Sequence, residues 1–402
     1  ILFCLILLVA ASTWFIPAGS YDYVDGVPVS GSYHAVAAAP QGIGAALKAA
    51  FSGFYDAVDV CVFILMVGGF LGVVMKTGAI DAGVSNVIAR LQGKESWLIA
   101  ILMLFFGLGG TTYGMWEETM AFFPLLLPVF LAAGYDAVVG VAVILLGAGA
   151  GVIASTVNPF ATGIAAGFAG VSLGDGILWR IIQFVLFEGI AIWYVSAYAA
   201  RVKRDPSRSV VGIGAGKLHA DVGHVQPLTR RHAAILMVFA LTFLVMIYGV
   251  IPFDEMGLPL PVLGWWFPEL SALFLVGGIV VGLMDRLGEV ELAETFVSGC
   301  TDLLGVAFII GISRGITVLM NDGRITDTIL HWGESALSGL GAVAFVVLVY
   351  LIYLPLSVLI PSSSGLATLS VPVVAPLGQF AGVGGDVVVT AFQSACGLVN
   401  LV

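Results

Sequence analysis

The chain has 402 residues, of which 60% are hydrophobic and 10% are charged, and its formal net charge is −10. Soluble domains carry about 25% charged residues, so this chain cannot cover a water-exposed surface and is predicted to be a polytopic membrane protein. It has no basic stripe, which argues against nucleic acid as a partner. Its four cysteines and five histidines form no metal-ligand motif.

Apolar segments long enough to cross a bilayer, about 17–25 residues, recur along the whole chain. We therefore predict an all-α fold whose spanning segments are 1–17, 57–75, 137–172, 177–200, 232–252, 268–284, 296–320 and 384 onward. Two further stretches, 96–134 and 339–382, exceed one crossing and carry small polar tips at 109–114 and 361–365. Because a polar tip at membrane depth must be buried in protein or line a watery cavity, we predict two re-entrant hairpins.

The long apolar segment 137–172 is interrupted by the sequence GAGAGVIASTVNPFATG. Its glycines, Asn158 and Pro159 predict a transmembrane helix that is broken near its middle, since proline disrupts the hydrogen bonds of a helix interior. In the second half, the element from residue 384 onward carries Asn400 in the matching place. Freed carbonyl groups and the Asn amides could coordinate an ion or a substrate, and the alternative is close helix packing by small residues.

Two short motifs recur in the second half of the chain. The motif S-G-x-x-D at 52–56 returns at 298–302, and M-x-x-G-x-I at 75–80 returns at 320–325, about 245 residues later. In both halves a short segment of mixed polarity, a hairpin and an Asn-bearing element then follow in the same order. This shared order predicts an internal repeat.

The segment 201–231 contains seven of the 15 Lys and Arg residues, so the positive-inside rule makes it a cytoplasmic basic linker. It separates a first repeat, 1–200, from a linking helix and second repeat in 232–402. We expect the second broken helix to continue beyond Val402. Counting crossings from the linker places the two hairpins on opposite sides of the membrane, which is the inverted arrangement that many secondary transporters use for alternating access.

Charged side chains inside apolar segments are candidates for function because their burial is expensive. Glu117 and Glu118 follow the first hairpin tip, where they either bind a positively charged group or pin the hairpin arm to a neighbour. Arg314 either captures a carboxylate or extends to the outer interface, and Glu188 is either structural or linked to proton movement. The second hairpin offers hydroxyl groups only, from Ser362, Ser363, Ser364 and Thr368.

Four stretches, GTTYGMWEET, STVNPFATG, ISRGITVLMNDGRITDTILH and PSSSGLATLSVPVVAPL, resemble the four-carbon dicarboxylate anaerobic carrier family. The likeness is stronger to its YfcC-like branch, which is related to basic amino-acid antiporters, and it covers nearly the whole chain. It implies the ion transporter superfamily fold, with scaffold helices and a transport domain that holds two hairpins and two broken helices. It also implies a binding site at Thr111, Thr112, Asn158, Ser363, Ser364 and Asn400.

Together, the pattern and the resemblance predict a secondary active transporter of the inner membrane that moves a small organic acid or amino acid by alternating access. Transport is expected to be coupled to sodium or protons or to proceed by exchange, with a possible homodimer formed through the scaffold helices. The main alternative is a dicarboxylate carrier in which Glu117 and Glu118 are structural. A channel or a membrane-embedded enzyme is a remote alternative. The sodium ligands would come from Thr112, Ser155, Asn158, Ser364 and Asn400.

Overall fold

The computed structural model describes residues 2–24, 27–90, 95–116, 119, 122–211, 227–251, 253, 259–337, 340–360 and 362–401. Over these residues the protein is helical, apart from four two-residue strands: β1 (Gly19–Ser20), β2 (Tyr23–Val24), β3 (Val27–Pro28) and β4 (His34–Ala35). The strands form two antiparallel pairs, β1 with β4 and β2 with β3. The predicted all-α polytopic fold class is confirmed.

Seventeen α-helices are described. The first half contains α1 (Leu2–Ser12), α2 (Ile43–Asp56), α3 (Val58–Lys76), α4 (Ala79–Arg90), α5 (Glu95–Tyr113), α6 (Phe123–Ala132), α7 (Ala137–Ala154), α8 (Ile164–Ala169) and α9 (Ile177–Arg204). The second half contains α10 (Arg230–Val250), α11 (Phe267–Asp285), α12 (Glu289–Asp302), α13 (Leu304–Asp322), α14 (Thr326–Leu337), α15 (Ala342–Leu359), α16 (Ser363–Phe380) and α17 (Gly385–Asn400).

Seven described elements are long and apolar enough to cross a membrane: α3, the combined α7–α8 element, α9, α10, α11, α13 and α15. Each presents a nearly uninterrupted apolar surface, which suits a helix whose outer face contacts lipid tails. The protein is therefore a multi-pass membrane protein. The re-entrant course of the two hairpins stays a prediction.

The two halves have matching helices. Helices α2, α3 and α4 contain 14, 19 and 12 residues, and α12, α13 and α14 contain the same numbers. Five of the six pairs of corresponding helices, from α2 and α12 to α7 and α17, begin 246 to 248 residues apart along the chain, and α6 and α16 begin 240 residues apart. Such agreement in length and order is what an internal repeat produces.

The joints between helices repeat as well. Gly78, between α3 and α4, has a φ of 66°, and Arg324, between α13 and α14, has a φ of 56°. Gly78 therefore corresponds to Arg324, and the predicted pairing of Gly78 with Gly323 was one residue out of register. A non-glycine residue in this left-handed region is uncommon, so the conformation of the joint is retained even where the sequence has no glycine.

The repeats pack on each other through reciprocal glycine contacts. A Cβ on Gly53 of α2 would lie 2.2 Å from the carbonyl oxygen of Gly311 in α13. At the equivalent position of the second repeat, a Cβ on Gly299 of α12 would lie 2.3 Å from the carbonyl oxygen of Gly68 in α3. A contact in which the first helix of each repeat packs on the second helix of the other is expected for units related by a two-fold axis.

Several predicted boundaries were wrong. The first helix ends at Ser12 rather than at residue 17, because the chain turns before Pro17. The predicted span 296–320 is two helices joined at Leu303. The predicted tip at 109–114 lies mostly inside α5, which continues to Tyr113, so the chain turns only from Gly114 onward.

Candidate substrate-binding cavity

A cavity of about 540 Å³ lies between the two repeats. The scaffold side consists of α3 and the α12–α13 joint, and the opposite side consists of both hairpin turns and both Asn-bearing elements. Its described lining comprises Gly68, Leu71, Gly72, Met75, Gly114, Trp116, Val152, Asn158, Phe160, Ala161, Gly299, Asp302, Leu303, Val306, Ser362, Ser363, Ser364, Gln393, Cys396, Gly397 and Asn400.

The first broken element is held open by its own polar side chains. Helix α7 ends at Ser155, which adopts the left-handed conformation with a φ of 43°, and a π-helical turn then runs over Pro159–Gly163. The amide oxygen of Asn158 accepts hydrogen bonds from the backbone N–H groups of Phe160 and Ala161, at 2.9 and 3.4 Å. Asn158 therefore caps the restarting helix, which is a role suited to a short polar side chain.

The other groups of the break are also paired. The amide nitrogen of Asn158 donates to the hydroxyl of Ser155 at 3.0 Å. The hydroxyl of Thr162 donates to the carbonyl oxygen of Ser155 at 2.6 Å. Satisfying buried polar groups in this way makes an interrupted helix tolerable at membrane depth. The break consequently has a defined shape around Asn158.

The second repeat contributes a group to the first repeat's break. Gln393 of α17 is fully buried, and its amide nitrogen donates to the carbonyl oxygen of Ala154, the last residue of α7, at 3.0 Å. Neighbouring Ser394 donates to the side-chain oxygen of Gln183 in α9 at 3.2 Å. The terminal carbonyls of a helix need partners outside the helix, and here one of them is supplied across the repeat interface.

The second hairpin presents a helix N-terminus to the cavity. Ser362 is the N-cap of α16, and its hydroxyl accepts from the backbone N–H of Gly365 at 3.2 Å. Ser363 and Ser364 form the first turn of α16 and line the cavity with Ser362. The first N–H groups of a helix have no intrahelical acceptor, and the helix dipole makes this end favourable for a negative group.

Five of the predicted binding residues line this one cavity: Asn158, Ser362, Ser363, Ser364 and Asn400. Their role in binding stays a prediction. The sequence had placed Asn158 and Asn400 at matching positions of the two repeats. The structure does not support this equivalence. Asn400 is the last residue of α17, whereas Asn158 lies beyond the end of α7.

Three predicted threonines lie outside the described lining. Thr111 is buried, and its hydroxyl and carbonyl oxygens contact Thr156, which joins α5 to the break. The hydroxyl of Thr112 donates to the carbonyl of Leu108 at 2.6 Å, and that of Thr368 donates to the carbonyl of Ser364 at 2.6 Å. These contacts stabilise the helices that carry the cavity residues.

The predicted sodium ligands do not all reach the cavity. Asn158, Ser364 and Asn400 line it, but Thr112 and the fully buried Ser155 do not. The amide oxygen of Asn158 is already occupied by two backbone N–H groups. A sodium site at these five residues therefore stays a prediction.

Arg314 lies outside the described lining of the cavity, and its predicted role in binding stays a prediction. Its guanidinium donates to the carboxylate of Asp56 at the end of α2, and it lies 5.2 Å from the ring centre of Phe168 in α8. The charge is thus neutralised within the protein, which is how a cation in an apolar segment becomes tolerable.

Glu117 and Glu118 lie outside the described residues. Gly114 and Trp116, which precede the two glutamates in the first hairpin, line the cavity. A Cβ on Gly114, whose φ is 76°, would lie 2.8 Å from the amide nitrogen of Asn158. The glycine therefore lets the hairpin backbone contact the break directly.

Sequence reasoning did not identify Gln393 or Asp302 as residues of the cavity. Gln393 had no signal beyond its place in an apolar segment. Asp302 appeared only as part of a repeated motif, although it is the single charged residue in the described lining. Glu188, in contrast, is buried in α9, and its carboxylate lies against Gly107 of α5, away from this lining.

A polytopic helical fold with two repeats that enclose a polar cavity is typical of membrane transporters. The chain belongs to the C4-dicarboxylate anaerobic carrier family, whose model matches residues 1–402. The predicted family is thereby confirmed, and the protein is a transporter rather than an enzyme.

Two relatives and two solved structures show how far the likeness extends. An uncharacterized protein of Haemophilus influenzae is 33% identical over 98% of this chain and 86% of its own length. A protein of Escherichia coli K12 named "Putative basic amino acid antiporter YfcC" is 32% identical over 87% of this chain and 70% of its own length.

The fold is shared with two transporters of known structure. The YdaH transporter of Alcanivorax borkumensis, reported to have an unusual topology, superimposes with a TM-score of 0.75 at 14% identity, over 99% of this chain and 86% of that one. MtrF of Neisseria gonorrhoeae, described as illuminating a class of antimetabolite efflux pumps, gives a TM-score of 0.73 at 19% identity, over 100% of this chain and 83% of that one.

Proposed function

We propose that this transporter carries amino acids through the cavity between its two repeats, in exchange for a second solute or ion. The observation that carries the proposal is the charge of the lining. Among the described lining residues the only charged group is Asp302, and Asn, Ser and Gln side chains supply the other polar groups. This lining suits a substrate with both a negative and a positive group.

A dicarboxylate suits the same lining poorly. Carboxylates are usually bound by Arg or Lys, which supply charge-assisted hydrogen bonds, and the described lining contains neither. Two carboxylates would have to share the cavity with Asp302, and like charges in a partly desolvated site repel each other. Within the described lining, the alternative of a dicarboxylate carrier therefore lacks the cation that it needs.

One carboxylate, however, has a suitable position. The N-terminus of α16 supplies free N–H groups, the positive end of a helix dipole and the hydroxyls of Ser362, Ser363 and Ser364. The α-carboxylate of an amino acid fits this end, and its α-ammonium group is left for carbonyl oxygens of the cavity, so that Asp302 remains available to a second positive group. The name of the Escherichia coli relative, a basic amino acid antiporter, supports the same substrate class.

The experiment is counterflow in proteoliposomes. Vesicles that contain the purified protein are loaded with unlabelled arginine, lysine, alanine or succinate, and entry of the labelled form of each solute is followed. We expect accumulation of at least one amino acid and none of succinate. Accumulation of succinate alone would replace the proposal with the dicarboxylate alternative. Repeating the assay with and without sodium, and at two pH values, identifies the coupling ion.

A further inference from the structure

Asp302 and Asp56 occupy equivalent positions in the two repeats. Each is the last residue of a 14-residue helix, α2 or α12, and each lies three residues after the glycine that packs on the other repeat. Their surroundings should therefore be alike, apart from the residues that the opposite repeat presents to them. The residues that the opposite repeat presents to each aspartate therefore indicate what its carboxylate is able to bind.

Asp56 binds a guanidinium group. The group belongs to Arg314, which lies beside Gly315 on the face of α13 that packs against Gly53. Only 24% of the Arg314 side chain is exposed, so the pair is partly withdrawn from water. A carboxylate at this position of the repeat can thus receive a guanidinium presented from the facing helix, with the fork of donors that Arg provides.

Within the described part of the chain, Asp302 faces no such cation. By sequence register the residue of α3 that corresponds to Arg314 is Gly68, because α3 and α13 begin 246 residues apart. Matching the helices by their contacts gives a different counterpart. Gly72 packs on Gly299 as Gly315 packs on Gly53, so the counterpart of Arg314, which precedes Gly315, is Leu71. Both Gly68 and Leu71 line the cavity with Asp302, and neither carries a charge. Among the described residues, none forms an ion pair with Asp302.

The surroundings of Asp302 differ from those of Asp56 in space as well as in charge. Where the first repeat has the long side chain of Arg314, the second has Gly68 and Leu71, and Asp302 is itself part of the cavity lining. An exposed carboxylate in a cavity whose other described lining residues are uncharged is suited to binding a cation. Because the neighbouring groups, Leu303 and Val306, are apolar, the rest of the ligand near Asp302 would be an aliphatic chain.

We propose that Asp302 binds the side-chain guanidinium or ammonium group of the substrate, in the way that Asp56 binds Arg314. This assignment rests on the proposed function and deepens it, since it selects arginine-like and lysine-like amino acids over neutral ones. The serines at the N-terminus of α16 would hold the other end of the same molecule. Asp302 is thus the residue that determines specificity for side-chain charge.

The test compares arginine with citrulline, which has nearly the same shape but a neutral end group. Binding or exchange of each is measured for the wild type, Asp302→Asn, Asp302→Glu and the matched control Asp56→Asn. We expect the wild type to prefer arginine by about tenfold or more, because a desolvated charge-assisted contact is lost with citrulline. Asp302→Asn should abolish this preference, Asp302→Glu should restore part of it, and Asp56→Asn should keep the wild-type ratio.

Three results would overturn the assignment. One is an unchanged preference for arginine over citrulline in Asp302→Asn protein that thermal unfolding shows to be folded. Another is an equal loss for both ligands, which would make Asp302 structural. A third is a loss of sodium dependence with the ratio unchanged, which would make it the site of a coupling cation. If the wild type exchanges neither amino acid, the proposed function itself has failed, and the two failures are distinguishable.

Discussion

The two repeats are built from helices of the same length, but they differ at the points where they meet the cavity. In the first repeat Asp56 is paired with Arg314, whereas in the second the equivalent Asp302 is exposed to the cavity. Shared helices therefore set the architecture, and single side chains make the site asymmetric, as an asymmetric substrate requires.

The largest expected effect concerns the reciprocal contact that both repeats share. Gly53→Ala and Gly299→Ala would each place a Cβ about as near as 2.2–2.3 Å to a backbone oxygen of the other repeat. Because the helices must separate, each variant should lose about 3 kcal/mol of stability or more. Gly305→Ala is the control, since a Cβ there meets nothing within 4 Å. Thermal unfolding in detergent measures the difference, and equal melting temperatures for all three would contradict the two-fold packing.

The next effect separates the two asparagines. Asn158→Ala removes the cap of the broken element and should cost roughly 0.5–2 kcal/mol of stability, while exchange is lost because the break changes shape. Asn400→Ala should retain more exchange, since no described residue bonds to the Asn400 side chain. Counterflow and thermal unfolding of both variants test this order. A greater loss of exchange for Asn400→Ala than for Asn158→Ala would contradict this order.

A smaller effect on stability is expected for the hydrogen bond between Gln393 and Ala154, which joins the two repeats. Gln393→Leu removes the donor to the Ala154 carbonyl and leaves that oxygen buried, at a cost of about 1–3 kcal/mol. Gln379→Leu is the control, because the amide oxygen of Gln379 is buried without a described partner. Thermal unfolding should therefore show a larger loss for Gln393. A larger loss for Gln379 would mean that the bond contributes little.

The smallest effect concerns α14, whose outer face holds the strands of residues 19–35. Burial alone would raise the pKa of Glu334, but hydrogen bonds from Ser30 and Tyr21 and a contact with His331 outweigh it, so the pKa lies below its usual value. A lowered folded-state pKa stabilises the protein above the unfolded value of about 4.3, and this stabilisation is lost as the pH falls through the folded value.

Glu334→Gln should therefore reduce stability by less than about 1 kcal/mol near neutral pH, since a neutral amide accepts weaker hydrogen bonds. Between about pH 5 and 3 the wild type should approach the variant, because its carboxylate becomes protonated. Unfolding at a series of pH values follows this convergence. A difference that grows as the pH falls would contradict the sign of the pKa shift.

The sequence predicted the elements whose signal is local. Apolar length identified α9, α10 and α11, and the repeated S-G-x-x-D motif located the equivalent glycines and aspartates. Asn158 could be identified because proline and glycines surround it. The lengths of α2 and α12 could not be anticipated, since their apolar stretches run directly into the next helix.

The site itself could be predicted only in part. The serines at the start of α16 carry a recognisable signal, but the partner of Arg314 lies 258 residues away in the sequence, and no local pattern connects the two. The position of Asp302 likewise depends on how the repeats cross. Pairings between repeats follow from the three-dimensional packing of glycines, which the spacing of residues along the chain does not specify.

The central claim is that the cavity between the repeats binds an amino acid, and a structure determined with bound arginine tests it most directly. We expect density inside the cavity, with the carboxylate at Ser363 and Ser364 and the guanidinium at Asp302. A parallel sample with succinate should leave the same cavity without substrate density. Succinate density between Asn158 and Ser363, with none for arginine, would contradict the claim.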